Sequence, residues 1–248
     1  MAKKGRVFDG VLNLNKPTGI TSARALDQVR RIAGVRKSGH SGTLDPMASG
    51  VLVICMGRAT KLVEKIMDQP KIYAATARLD VTSRTFDADA ELEPVPDAAP
   101  PDDAALLAAA AGFEGRIEQT PPAFSAVKVK GQPAYKLARR NKPVELKARR
   151  VCIYWLHVSR YAWPEIDFEL CSGRGTYVRS LIRDLGQRLG TGGCLTRLER
   201  RAVGPYHLDA AVTPDELGKL SLQAVAIDFD AASETLNHPP VIPSRPRG

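Results

Sequence analysis

The apolar positions of the chain change period several times, and each change predicts an element. Leu26, Val29 and Ile32 recur three apart behind Thr21 and Ser22, either of which can cap a helix there. Residues 51–56 form a continuous apolar run between Gly50 and Gly57, as a buried strand does. Residues 73–81 mix β-branched and small side chains and read as a second strand. Asp102 or Asp103 can cap a helix over 104–111 that Gly112 ends. Ile166, Phe168 and Leu170 alternate with Asp167, Glu169 and Cys171, the pattern of a half-buried strand. A glycine turn over 172–175 leads into Leu181, Ile182, Leu185 and Leu189 at helical spacing, stopped by Gly190. A further helix is expected over 214–222 with Thr213 as its cap. Strand and helix do not alternate regularly, so the prediction is an α+β fold with a mixed or antiparallel sheet rather than a doubly wound one.

Composition narrows the class only a little. A hydrophobic share of 44% and a charged share of 25% are those of soluble globular proteins, and 248 residues suffice for one large domain or one domain with an insertion. No apolar run approaches the ~20 residues that span a bilayer, which argues against a membrane partner. The first residues, Met-Ala-Lys-Lys-Gly-Arg, are not followed by the apolar stretch of a signal peptide, so a cytoplasmic protein is expected. Cys55, Cys152, Cys171 and Cys194 are widely spaced and include no C-x-x-C pair, against both a zinc site and a disulfide scaffold.

Charge adds more. The formal charge of +9 fits a polyanionic partner or simple solubility, and by itself does not choose. Its distribution is uneven: residues 86–103 hold seven acids and no base, whereas 121–150 hold nine Lys or Arg and the single acid Glu145. Solvated faces usually mix signs, so 121–150 reads as a phosphate-contacting patch. Acids dominate again over 209–234, and the last ten residues hold four prolines, so 239–248 are expected to be disordered.

The densest chemistry lies in Ser38-Gly39-His40-Ser41-Gly42-Thr43-Leu44-Asp45-Pro46-Met47-Ala48-Ser49-Gly50, directly before the buried strand. Pro46 removes a backbone donor and biases Asp45 towards an extended conformation. A carboxylate at the mouth of a strand suits a nucleophile or base, or an Asx-turn that organises the loop. Loop chemistry leaves the two equally open.

Gly42-Thr43-Leu44-Asp45-Pro46-x-Ala48-x-Gly50-x-Leu52 resembles the catalytic signature of the bacterial tRNA pseudouridine-55 synthases. Gly10-Val11-Leu12-Asn13-Leu14-Asn15-Lys16-Pro17-x-Gly19-x-Thr21-Ser22 resembles the same family's N-terminal motif. Lys71-x-Tyr73, then Pro122-Ala123-Phe124-Ser125-Ala126-Val127-Lys128, then Gly173-x-Gly175-Thr176-Tyr177-Val178-Arg179-Ser180-Leu181 resemble three more, in the family's order. Together they span roughly residues 8–205.

The resemblance implies a pseudouridine synthase fold and the isomerisation of a uridine in the T-loop of tRNA. That reaction breaks the N1–C1′ bond and rejoins uracil through C5 without oxidation, group donor or net hydrolysis. It therefore implies no cofactor and no metal. Asp45 becomes the essential carboxylate, while attack at C1′, addition at C6 and glycal formation stay open. Arg179 is implied to pair with Asp45 and keep it ionised. Tyr73 would stack on the extracted uracil and serve as a base, and Tyr177 would line the same pocket from an extended-to-helical junction. His40 is implied in the rearrangement of the loop when the uridine flips out. Lys16 would support the catalytic loop or a phosphate, and Leu198 would wall the uracil pocket, although core packing explains it nearly as well.

The basic segment 121–150 coincides with the family's RNA-gripping flap, with Lys128, Lys130, Arg139, Arg140 and Lys142 as phosphate contacts. The expected organisation is a catalytic domain over 1–208 carrying that flap, then a short extension over 209–248 too small for the family's usual PUA-type domain. The expected partner is the T-arm stem-loop of tRNA, with the protein acting as a monomer. A tRNA-folding protein with secondary catalysis is the competing class, and a DNA-binding protein is disfavoured because no basic recognition helix stands out.

Overall fold

In the computed structural model, which describes residues 8–129, 131–140 and 142–246, the chain forms one unit from 1–73 with 198–243 and another from 74–197 with 244–248. The first unit contains β1 (Gly10–Lys16), α1 (Ser22–Ala33), β2 (Ser38–His40), β3 (Ser49–Met56), α2 (Val63–Asp68) and the start of β4 (Lys71–Arg78). β1 pairs antiparallel with β3 along its whole length, from Gly10 opposite Met56 to Lys16 opposite Gly50. β2 pairs with the distal half of β3, setting His40 opposite Ile54.

Thr21 caps α1 by accepting the Arg24 N–H, and Gly34 closes it at φ 68° in the left-handed region. The buried stripe of α1 is Ala25, Leu26, Val29 and Ala33, while Ile32 is 44% exposed. The three-apart reading thus misplaces Ile32. Each three-residue step falls about 60° short of a full turn, so two steps from Leu26 leave the buried face.

The second unit contains the rest of β4, then β5 (Val81–Thr82), β6 (Glu93–Pro94), α3 (Asp103–Ala111) and β7 (Gly115–Gln119). It continues through β8 (Lys128–Val129), β9 (Gln132–Pro133), α4 (Ala134–Ala138), β10 (Arg149–Ala162), β11 (Glu165–Ser172), α5 (Val178–Leu189) and the start of β12 (Cys194–Val203). Its sheet has the order β4-β11-β10-β7, with β10 antiparallel to both neighbours. The strand expected over 73–81 instead ends at Arg78 and resumes at Val81. Between them the Arg78 guanidinium folds onto the Asp80 carboxylate, 2.9 Å from Nε, and Leu79 donates to the Pro164 carbonyl. α3 begins at its Asp102 cap and α5 ends at Gly190, both as the sequence predicts.

The chain returns to the first unit through the end of β12, β13 (Tyr206–His207), α6 (Pro214–Lys219), α7 (Leu222–Val225), β14 (Ala226–Asp228) and α8 (Phe229–Thr235). The helix expected over 214–222 is divided: a capping box between Thr213 and Glu216 starts α6, and Ser221 caps α7 anew. β12 runs parallel to β3 where Arg200 faces Gly50, so this unit's sheet is mixed. Val212 exchanges hydrogen bonds with Asn13 and Asn15, and β14 extends the sheet beside β1. Ala232 and Leu236 of this last segment pack with Val11, Val51, Val53, Cys55, Ile66 and Tyr206 in one buried cluster. Residues 209–243 therefore complete the first unit's core. All four cysteines are free, and burial pushes the Cys55 thiol up to about 12, where it is an inert core group. Among the described residues no helix is long and apolar enough to cross a membrane.

Candidate active site

Asp45 stands half-buried in the loop between β2 and β3. The backbone around it is fastened from several directions. Ser22, 1% exposed, donates its hydroxyl to the Leu44 carbonyl at 3.0 Å and accepts the Leu44 N–H at 2.8 Å. The Pro46 carbonyl accepts the Gly19 N–H at 2.8 Å and faces the Lys16 ammonium at 3.5 Å. That ammonium is fully buried and also donates to the Pro17 and Ile20 carbonyls at 2.8 Å each. The Ala48 N–H closes a turn onto the Asp45 carbonyl. Gly50 ends the loop at φ 101°, where a Cβ would sit 2.3 Å from the Arg200 carbonyl oxygen, so only glycine allows the strands to close. Every polar group of this backbone that is buried must find a partner or cost free energy, and these residues supply the partners.

The same unit holds His40, Tyr73 and Leu198. His40 is half-buried, and burial, with the Arg200 and Arg30 charges beside it, holds its imidazole below the ordinary range. Tyr73 lies on the buried face of β4 and is 8% exposed, and Leu198 lies on the buried face of β12 at 5%.

In the second unit Tyr177 is the extended residue at the start of α5, with φ −107° and ψ 111°. Buried Gln119 grips it twice, accepting its N–H at 2.8 Å and donating to its carbonyl at 3.2 Å. Its ring lies under the Arg149 guanidinium, 6.0 Å from the ring centre. Arg179, the second residue of α5, is 3% exposed. It donates to the Thr85 and Phe124 carbonyls at 3.0 Å each and faces the Asp87 carboxylate at 3.4 Å. The extended-to-helical junction expected at 177–179 is where the structure has it.

Asp87 is the residue that the sequence concealed. It sits among the seven acids of 86–103, yet it is 2% exposed. Its carboxylate accepts the Thr85 hydroxyl at 2.6 Å and the Asp89 N–H at 3.2 Å. Phe86, immediately before it, adopts φ 59°, a conformation that costs a bulky residue of order 1–3 kcal/mol. The Phe86 carbonyl accepts the Leu195 N–H, so β12 over-determines the strained bend that turns Asp87 towards Arg179. The only signal in the sequence was the Thr-x-Asp turn chemistry of Thr85 and Asp87, which does not name a partner.

The basic segment is built differently. β8 and β9 form a minimal hairpin, followed by the five-residue helix α4. Lys128, Arg139, Arg140 and Lys142 are all exposed, and Lys130 lies outside the described residues. Arg139 rests on the Tyr135 ring at 5.6 Å. Among the described residues no three His, Cys, Asp or Glu side chains gather into a metal site.

Residues 30–178 match the model of the TruB family pseudouridylate synthase N-terminal domain, and residues 179–231 that of the tRNA pseudouridylate synthase B C-terminal domain. The chain belongs to the TruB family. It is 46% identical over 217 residues to tRNA pseudouridine synthase B of Thermobifida fusca, covering 84% of this chain and 74% of that protein. It is 45% identical over 212 residues to tRNA pseudouridine synthase B of Burkholderia pseudomallei, covering 86% and 70%. Among solved structures, a chain of the archaeal box H/ACA sRNP Nop10–Cbf5 complex matches with a TM-score of 0.69 at 25% identity. That match covers 92% of this chain, which spans only 62% of the archaeal one. Membership makes this TruB-family chain a pseudouridine synthase by class, an isomerase whose α+β fold its structural neighbours share.

Proposed function

We propose that the protein isomerises a uridine to pseudouridine in the T-loop of tRNA, at position 55, with Asp45 as the essential carboxylate. The observation that carries this reading is the Asp45 loop: the family's signature residues 42–52 stand in a backbone fastened by Ser22, Lys16 and Gly19. A rigid backbone around one carboxylate suits chemistry, in which the reacting group must be in place before the substrate arrives. The target base lies inside a folded loop and must be flipped out, at a cost of a few kcal/mol. His40 would stabilise the opened loop, and Tyr73, Tyr177 and Leu198 would hold the uracil. Arg179, oriented by Asp87, would keep Asp45 ionised. As N1–C1′ breaks and C5–C1′ forms, N1 gains a proton and C5 releases one, with Tyr73 as the base.

The substrate contacts are assigned to the exposed cations Lys128, Arg139 and Arg140, with Lys130 beside them in the sequence, each of which would neutralise a phosphate of the T-arm. The protein would act in the cytoplasm as a monomer without an obligate protein partner. A pure tRNA-folding role is not favoured by the family's naming as synthases.

Tritium release from 5-tritiated uridine in an unmodified T-arm stem-loop tests the reading. Wild type should release tritium, and a wild type that releases none overturns the assignment. Asp45→Asn should bind the same RNA and release nothing. Size-exclusion chromatography of the active enzyme checks the monomer.

A further inference from the structure

We propose that Arg200 is a positioning residue for the reaction, a clamp that closes both ends of the Asp45 loop. The inference rests on the synthase reading above and names a residue that the family motif around Asp45 does not contain. Arg200 is 2% exposed and is the bulkiest of the fully buried side chains. A guanidinium removed from water costs several kcal/mol unless its donors are satisfied. Its side-chain hydrogen bonds go to backbone carbonyls rather than to a carboxylate: Nε donates to Val51 at 2.7 Å, and Nη2 to Gly42 at 3.1 Å. Those carbonyls lie three residues before Asp45 and six after it. The Arg200 backbone meanwhile pairs with Gly50 in the parallel ladder between β3 and β12.

One residue therefore holds the loop at its entry, its exit and its last backbone pair. The planar fork matters here, because its nitrogens diverge from one rigid plane and can reach two carbonyls nine residues apart. An ammonium at the same place is a point charge on a flexible stem and cannot span them in fixed geometry. A core that needed only volume at this position would take leucine or methionine without the desolvation cost. Position 200 also shares the buried face of β12 with Leu198 and Ala202, so the clamp and the proposed uracil wall stand on one strand.

The test compares wild type with Arg200→Lys, Arg200→Gln and Arg200→Ala in the tritium-release assay, alongside T-arm affinity and amide hydrogen exchange over residues 42–51. A misplacement of about 1 Å at a reacting group lowers turnover by about 100-fold. Arg200→Ala should therefore lose turnover on that scale with RNA affinity within about twofold of wild type. Arg200→Lys and Arg200→Gln, which carry the test should the alanine variant not fold, should show faster exchange over 42–51 and slower turnover. A folded lysine or glutamine variant with wild-type turnover overturns the clamp. So does a loss of turnover that leaves exchange over 42–51 unchanged. Should wild type itself release no tritium, the synthase reading fails, and the exchange comparison still decides whether Arg200 holds the loop.

Discussion

The Asp45 loop and the basic segment 121–150 are both irregular stretches, yet they are built on opposite principles. Around Asp45, Ser22, Lys16, Gly19 and Arg200 each spend a polar group on the loop's own backbone. Over 121–150 the described residues form one minimal hairpin, a five-residue helix and the first two residues of β10, and Lys128, Arg139, Arg140 and Lys142 are exposed. A reacting carboxylate displaced by about 1 Å loses about 100-fold in rate, whereas a charge that meets a phosphate works through a field that tolerates movement. On the proposed function the contrast between the two regions is one between positioning and attraction.

Asp45→Asn tests the first half of that contrast with the largest effect. It should lower turnover by more than about 1,000-fold while leaving T-arm affinity unchanged, since a single functional group is removed and no phosphate contact is touched. Tritium release and filter binding on one preparation read both quantities. A parallel fall in affinity would mean that the loop also grips the RNA.

The second half is tested by replacing Lys128, Arg139 and Arg140 together with alanine. The slope of log affinity against log salt should flatten by roughly two to three, close to one for each lost phosphate contact. Turnover at saturating RNA should stay at the wild-type value. A wild-type slope near zero would dissolve the contrast, because the segment would then attract nothing.

A smaller effect is expected from Ser22→Ala, which strands the Leu44 N–H and carbonyl in a buried setting. The cost should be about 1–3 kcal/mol of stability, read by chemical denaturation, with a loss of turnover larger than any loss of affinity. An unchanged denaturation midpoint would show that the loop does not need this anchor.

The smallest is a pH effect. His40 is held below its ordinary value by burial and by the nearby arginines. The folded protein therefore binds fewer protons than the unfolded chain just beneath the unfolded histidine value of about 6.5. The stability this contributes is whole above that pH and is lost as pH falls from there towards the folded value. Wild-type Tm should drop more steeply than that of His40→Gln between about pH 7 and pH 5.5. Parallel curves would remove His40 from the set of groups that tune the loop.

Much of the fold could be read from local chemistry. The caps Thr21, Asp102 and Thr213, the stop at Gly190 and the buried run of β3 all act within one turn or one strand, so neighbouring residues carry the whole signal. The candidate carboxylate was legible for the same reason, as part of a contiguous motif. Ile32 shows where such reading fails, since a strict three-residue spacing and the true helical period diverge within two steps.

What the sequence determined by itself is the inventory: an α+β chain, a motif that puts Asp45 in a glycine-rich loop, and a basic segment set apart from acidic ones. Tertiary structure alone decided the partners. Asp87 lies 92 positions from Arg179 within a run of acids, and Arg200 lies in the Arg-rich run 197–201, yet both are buried. The segment 209–243 reads as an appendage, yet it fills the core beneath β1 and β3. The physical reason is common to all three. A charge or an apolar side chain declares what it can bind, but the backbone carbonyls and strand edges that receive it have no sequence signature until the sheet brings them there.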